Sequence, residues 1–112
     1  MHLNIAAIRD YTGTDDAFIV KLFDKFLEHI RLDISKLKES TLKANWDGVK
    51  SSSHVMLSSA RIFALKQHII LHEQIERNCI NNTPDNIPEM VEELAKLYEE
   101  VIAEMNELKK AL

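Results

Sequence analysis

Cysteine, glycine, proline, basic charge and long apolar runs are all scarce in this chain, and each shortage removes a class of protein. Two glycines and two prolines in 112 residues leave little material for the many turns of a sandwich or barrel. No run of β-branched or aromatic residues alternates at period two, so a sheet is not expected. The net charge is −4, and no basic stripe of the kind a nucleic-acid binder needs is present. No stretch approaches the roughly 18 consecutive apolar residues of a membrane span. The first residues lack the basic-then-apolar layout of a signal peptide. Cys79 is the only cysteine, which excludes an internal disulfide and suits a reducing cytoplasm. Its expected role is that of a small core hydrophobe. There is no internal repeat.

What the chain has in quantity is apolar residues at helical spacing. They make up 46% of the sequence, enough for one core and one domain over 1–112. Residues 3 to 10 make a short amphipathic helix with Leu3, Ile5 and Ile8, stopped at Gly13, and Thr14 is the expected cap of the next. That second helix, about 15 to 42, carries Phe18, Leu22, Phe26, Ile30, Ile34 and Leu37, widened by Ile19, Phe23 and Leu27. Asn45 and Asp47 offer capping oxygens for a third helix that starts near Trp46. It is expected to bury Trp46, Val49, Ser53, Met56, Ala60 and Phe63. A turn near Ala64 and Leu65 leads to a fourth helix, about 66 to 80, with Ile69, Leu71, Ile75 and Cys79. The stretch "NNTPDNIP" is loop, and Asn86 is the expected cap of a last helix with Val91, Leu94, Tyr98, Val101, Met105 and Leu108 inward. The expected fold is all-α: an antiparallel up-down four-helix bundle with a short N-terminal helix as a lid.

His54 stands outside this pattern. At 100° per residue it falls roughly 150° from the middle of the stripe formed by Val49, Met56, Ala60 and Phe63. It is therefore expected in solvent. Lys50, Ser51, Leu57 and Ser58 are its neighbours at three and four residues, with Arg61 one turn further on. The serines leave the ring uncovered, the two cations can accompany an anion, and Leu57 is read as an exposed apolar contact for a partner. An accessible ring nitrogen with positive charge nearby is what a phosphoryl acceptor needs, and an ordinary imidazole is largely neutral at pH 7.

The segment "NWDGVKSSSHVMLSSARIFALKQHIILHEQIE" resembles the central part of histidine-containing phosphotransfer (HPt) domains of multistep two-component phosphorelays. Trp46, His54, Met56, Ser59, Leu65 and Glu76 fall at or near that family's positions. Upstream, "YTGTDDAFIVKLFDKFLEHIRLDISKLKESTLKANW" is similar to the family's first bundle helix. Leu57 stands where the family has a lysine, Ser58 where it has a glycine, and Ala64 where it has a later glycine. The resemblance implies a phosphocarrier rather than an autonomous enzyme. His54 would accept a phosphoryl group at Nε2 from a receiver-domain aspartate and pass it to another receiver. Glu76 would orient the imidazole through Nδ1–H, and Lys50 or Arg61 would replace the missing lysine. It further implies no cofactor in this chain and Mg²⁺ in the partner receiver. The partners would be receiver domains of response regulators or hybrid sensor kinases, with no nucleic acid or membrane involved. The protein would be a cytoplasmic monomer.

Two other readings belong beside this one. His68 and His72, four residues apart, could share a helix face as zinc ligands do, but no His-Glu-x-x-His or paired Glu-x-x-His element completes a set, and no metal site is expected. His2 and His29 belong to no recognisable constellation. The acid-rich last helix could instead serve a non-catalytic helical interaction or scaffold module, and this is the alternative function.

Overall fold

Five α-helices and one 3₁₀ turn account for the regular structure of the computed structural model, which describes residues 1–13 and 15–112; no strand occurs among the described residues. The helices are α1 (Ile5–Thr12), α2 (Asp16–Leu42), α3 (Trp46–Ile62), α4 (Lys66–Ile80) and α5 (Ile87–Ala111). Local chemistry explains where they start. Asn4 caps α1 by accepting from the Ala7 amide at 3.2 Å, and Asn45 caps α3 by accepting from the Gly48 amide at 3.1 Å. Thr14, the cap expected for α2, lies outside the described residues, and Asp15 takes that role by accepting from the Ala17 amide at 3.0 Å. Each such cap is worth about 1 kcal/mol. Asn86 differs from expectation. Its side chain makes no capping bond, because the 3₁₀ turn Pro84–Asn86 runs directly into α5 and supplies the Ile87 amide with the Pro84 carbonyl.

The ends are equally specific. Gly13 closes α1 at φ 93, a backbone conformation that suits a residue without Cβ. The next three helices end in one shared device: Ala44, Ala64 and Asn82 lie in the left-handed region at φ 53, 52 and 57. In each turn the following amide reaches back over the helix end: Asn45 to the Ser40 carbonyl, Leu65 to Ala60, and Thr83 to Asn78, all at 2.9 Å. This satisfies carbonyls that the helix would otherwise leave open. Ala64 thus holds a conformation that favours glycine.

Each of the four long helices packs against two others: α2 against α3 and α5, and α4 against α3 and α5. The α3–α4 contact is the most extensive. The packed helices measure 43 × 21 × 20 Å along the principal axes, matching about 40 Å expected for a 27-residue helix such as α2. Ile19, Phe23, Phe26, Ile30, Ile34 and Leu37 of α2 face a core shared with Val49, Met56, Ala60, Ile75, Val91, Leu94, Tyr98, Val101 and Met105. Each fully buried large side chain contributes about 1.5–3 kcal/mol. The N-terminal segment is held by Glu104 of α5, whose Oε1 accepts from the amides of His2 at 2.6 Å and Leu3 at 2.9 Å.

Expectations for the core change at several positions, and Ile69, Cys79 and Leu108 pack against it while only partly buried. Phe18 is 44% exposed, because the buried row of α2 is centred on Ile19, Phe23, Phe26 and Ile30. The Phe18–Leu22 row is only its edge, with Leu22 half-buried. Trp46, the first residue of α3, is half-buried rather than buried, since it sits at a helix end. Leu57 is 2% exposed and not a surface residue. It lies about 90° from the middle of the α3 stripe, on the side toward which α4 packs, and that extensive contact covers it.

Candidate functional site

His54 sits near the middle of α3 with its side chain 72% exposed. Its Nδ1 lies 2.9 Å from Oε1 of Glu76 on α4, whose side chain is only 18% exposed. A carboxylate can only accept, so Nδ1 carries the proton and donates to Glu76. In the neutral ring this leaves the lone pair on Nε2, directed away from the carboxylate and open to solvent. The pair therefore presents an imidazole with a set tautomer and a free nucleophilic nitrogen.

A groove between α3 and α4 is lined by Lys50, Ser51, His54, Val55, Glu76 and Ile80. It brings together four of the residues expected around the site: Lys50, Ser51, His54 and Glu76. Ser58 and Arg61 are exposed on α3 but do not line the groove. Arg61 is seven residues from His54, about 10 Å along the helix axis. Lys50 is thus the cation that shares the groove. Leu57 has no part in the surface, being buried.

The apolar part of the surface comes from two residues that sequence reasoning missed. Val55 and Ile80 are 64% and 66% exposed and flank His54 in the groove. Val55 carried a readable signal: it is an aliphatic residue on the solvent face of α3, next to the histidine. Ile80 follows Glu76 by one helical turn, a relation visible only once α4 is known to face His54. Cys79 is partly buried near the same end of α4, and burial pushes its thiol pKa up while Lys50 opposes the shift. The shift favours the neutral thiol over the reactive thiolate.

Beneath the surface lies a buried polar cluster. His72 of α4 is fully buried; its Nδ1 is 2.8 Å from Ser53 Oγ and its Nε2 is 2.7 Å from Tyr98 Oη. Burial, with the nearby His68 second, lowers its pKa to about 3, so the ring is neutral. Burial likewise pushes the Tyr98 phenol well above its usual range, with Asp33 adding to the shift. His68 is also fully buried, stacked edge-on against Tyr98 at 4.5 Å, and its pKa falls to about 4, mainly through burial. The nearby Leu97 backbone is the largest influence opposing that fall, yet neither ring nitrogen lies in hydrogen-bond geometry with a partner among the described residues. No group of three or more His, Cys, Asp or Glu side chains is placed to hold an ion among the described residues. Likewise, no described helix is long and apolar enough to cross a membrane.

Comparison with family models, with curated proteins and with solved structures finds no match to this chain.

Proposed function

We propose that this protein is a phosphohistidine carrier of the HPt type, accepting a phosphoryl group on His54 from a receiver-domain aspartate and donating it to another. The observation that carries the reading is the His54–Glu76 contact at 2.9 Å, which leaves Nε2 unprotonated on an open surface. In this reading α2 to α5 form an antiparallel up-down four-helix bundle, with α1 as an addition to it.

The chemistry asked of the chain is limited. Nε2 attacks phosphorus in line, the N–P bond forms as the aspartyl O–P bond breaks, and the electron pair leaves with the aspartate carboxylate. Nδ1–H remains on the ring, and Glu76 stabilises the positive charge that the ring gains. The receiver contributes Mg²⁺, and Lys50 adds positive charge at the groove. Val55 and Ile80 supply the apolar contact that a docked receiver would cover. The carrier is a cytoplasmic monomer in this reading, whose partners are receiver domains of response regulators or hybrid sensor kinases.

The test is incubation with a panel of phosphorylated receivers and Mg²⁺. The wild type is expected to gain an acid-labile, alkali-stable phosphate that His54→Gln does not gain. Val55→Asp with Ile80→Asp should weaken transfer while the helix content stays unchanged. A scaffold module would take no label from any receiver.

A further inference from the structure

The buried Ser53–His72–Tyr98 cluster adjoins the surface pair on both helices. Ser53 immediately precedes His54 on α3, and His72 precedes Glu76 by four residues on α4, on the same face. One hydrogen-bonded unit therefore ties together the two turns that carry the two site residues.

The tautomer of His72 follows from the buried partners. If Nδ1–H donates to Ser53 Oγ, the Tyr98 hydroxyl donates to Nε2, and the Ser53 hydroxyl is free to donate to the His72 carbonyl at 3.4 Å. Every proton in the cluster is then used. With the ring proton on Nε2 instead, the Tyr98 hydroxyl would have no acceptor among the described residues, a costly state for a fully buried group. The first arrangement holds α3, α4 and α5 in a single register. A helix slide or rotation of α4 would break both short bonds and carry Glu76 away from His54.

We propose that His72 is the positioning residue of the His54 site, its bonds to Ser53 and Tyr98 fixing the register of α3 on α4 and so the His54–Glu76 contact. The proposal rests on the phosphocarrier reading for its effect on transfer, but not for its effect on the His54 ring. A free imidazole prefers the proton on Nε2, whereas the Glu76 contact holds it on Nδ1. Loss of positioning therefore changes the tautomer of His54 itself.

The experiment is a long-range ¹H–¹⁵N correlation spectrum of His54 in the full chain, at a pH where its ring is neutral, paired with single-turnover transfer from a phosphorylated receiver. His72→Phe is the first variant. Tyr98→Phe, which keeps the ring and removes one bond, is the second and remains informative if the first fails to fold. Both should move His54 from the Nδ1–H toward the Nε2–H tautomer. Transfer should slow by about tenfold, since a misplacement of about 1 Å can cost on the order of 10²-fold. Combined with Glu76→Ala, either variant should add less than its separate effect. If His54 keeps its Nδ1–H tautomer in folded variants of lowered melting temperature, His72 is merely structural and the proposal fails. Should wild-type His54 show the Nδ1–H tautomer but take no phosphoryl group, the phosphocarrier reading fails and the positioning role of His72 is judged on the spectra alone.

Discussion

His54 and Glu76 are twenty-two residues apart in the chain and 2.9 Å apart in space, joined across the α3–α4 contact. The pairing makes one nitrogen of an exposed imidazole a donor to protein and leaves the other free. His29 meets Asp33 in the same way at 2.7 Å within α2; what separates His54 is that its carboxylate comes from a second helix and that the pair lines a groove with Lys50, Val55 and Ile80.

Removing the carboxylate should therefore cost reactivity and not stability. Glu76→Ala is expected to slow phosphoryl acceptance about tenfold, equivalent to about 1.4 kcal/mol in the barrier. Its urea midpoint should shift little, because the His54 ring is 72% exposed and its Nδ1–H can bond to water once the carboxylate is gone. Single-turnover transfer and equilibrium unfolding measure the two quantities. A midpoint that falls sharply while transfer is unaffected would make the contact a structural one.

Charge at the groove should come from one residue. Lys50→Ala is expected to slow transfer by about threefold, a small barrier change, while Arg61→Ala leaves it unchanged at fixed ionic strength. Restoring the family's lysine by Leu57→Lys should not help. Leu57 is 2% exposed, and placing an ammonium there carries a penalty on the order of several kcal/mol. An active and fully stable Leu57→Lys would show that the α3–α4 contact is looser than described.

Much of this was legible before the structure. The apolar spacings located the long helices, Gly13 marked the end of α1 and Asn45 the start of α3, and the angular position of His54 put it in solvent. Leu57 was misread because a residue about 90° from a stripe is covered or bare depending on which flank receives the next helix, and spacing within α3 does not contain that. Phe18 failed for a related reason: two adjacent apolar rows were visible, and the sequence does not say which is central. The buried histidines were least legible. A histidine among apolar residues reads as polar until Ser53 and Tyr98, nineteen and twenty-six residues away from His72, are seen to satisfy it.

Those histidines should make the fold sensitive to acid. The pKa values of His68 and His72 are lowered to about 4 and about 3, below that of an unfolded chain near 6.5. Between those values the unfolded state binds more protons, so stability is complete above about pH 7 and falls as the pH drops. The loss should reach about 2 kcal/mol per ring by about pH 5. His68→Leu removes one of the two rings and an unsatisfied buried polar group. It should raise stability at pH 5 and flatten the pH dependence between pH 7.5 and 5, measured by urea unfolding. An unchanged slope would mean that His68 is protonated in the fold.

Ala64 offers a stability test with no chemistry attached. At φ 52 an alanine pays about 1–2 kcal/mol for its Cβ, partly offset in a glycine by chain entropy of about 0.5–1 kcal/mol. Ala64→Gly should raise unfolding free energy by about 0.5–1 kcal/mol without altering the denaturant slope. A loss of stability would mean that this turn is not left-handed in solution.

The most direct measurement of the central claim is where phosphorus attaches. After transfer from a phosphorylated receiver, the ¹H–¹⁵N spectrum of the full chain should show a new Nε2–P signature on His54, with Nδ1 still protonated. His2, His29, His68 and His72 should be unchanged. Phosphorus on any other histidine, or on Nδ1 of His54, would contradict the account.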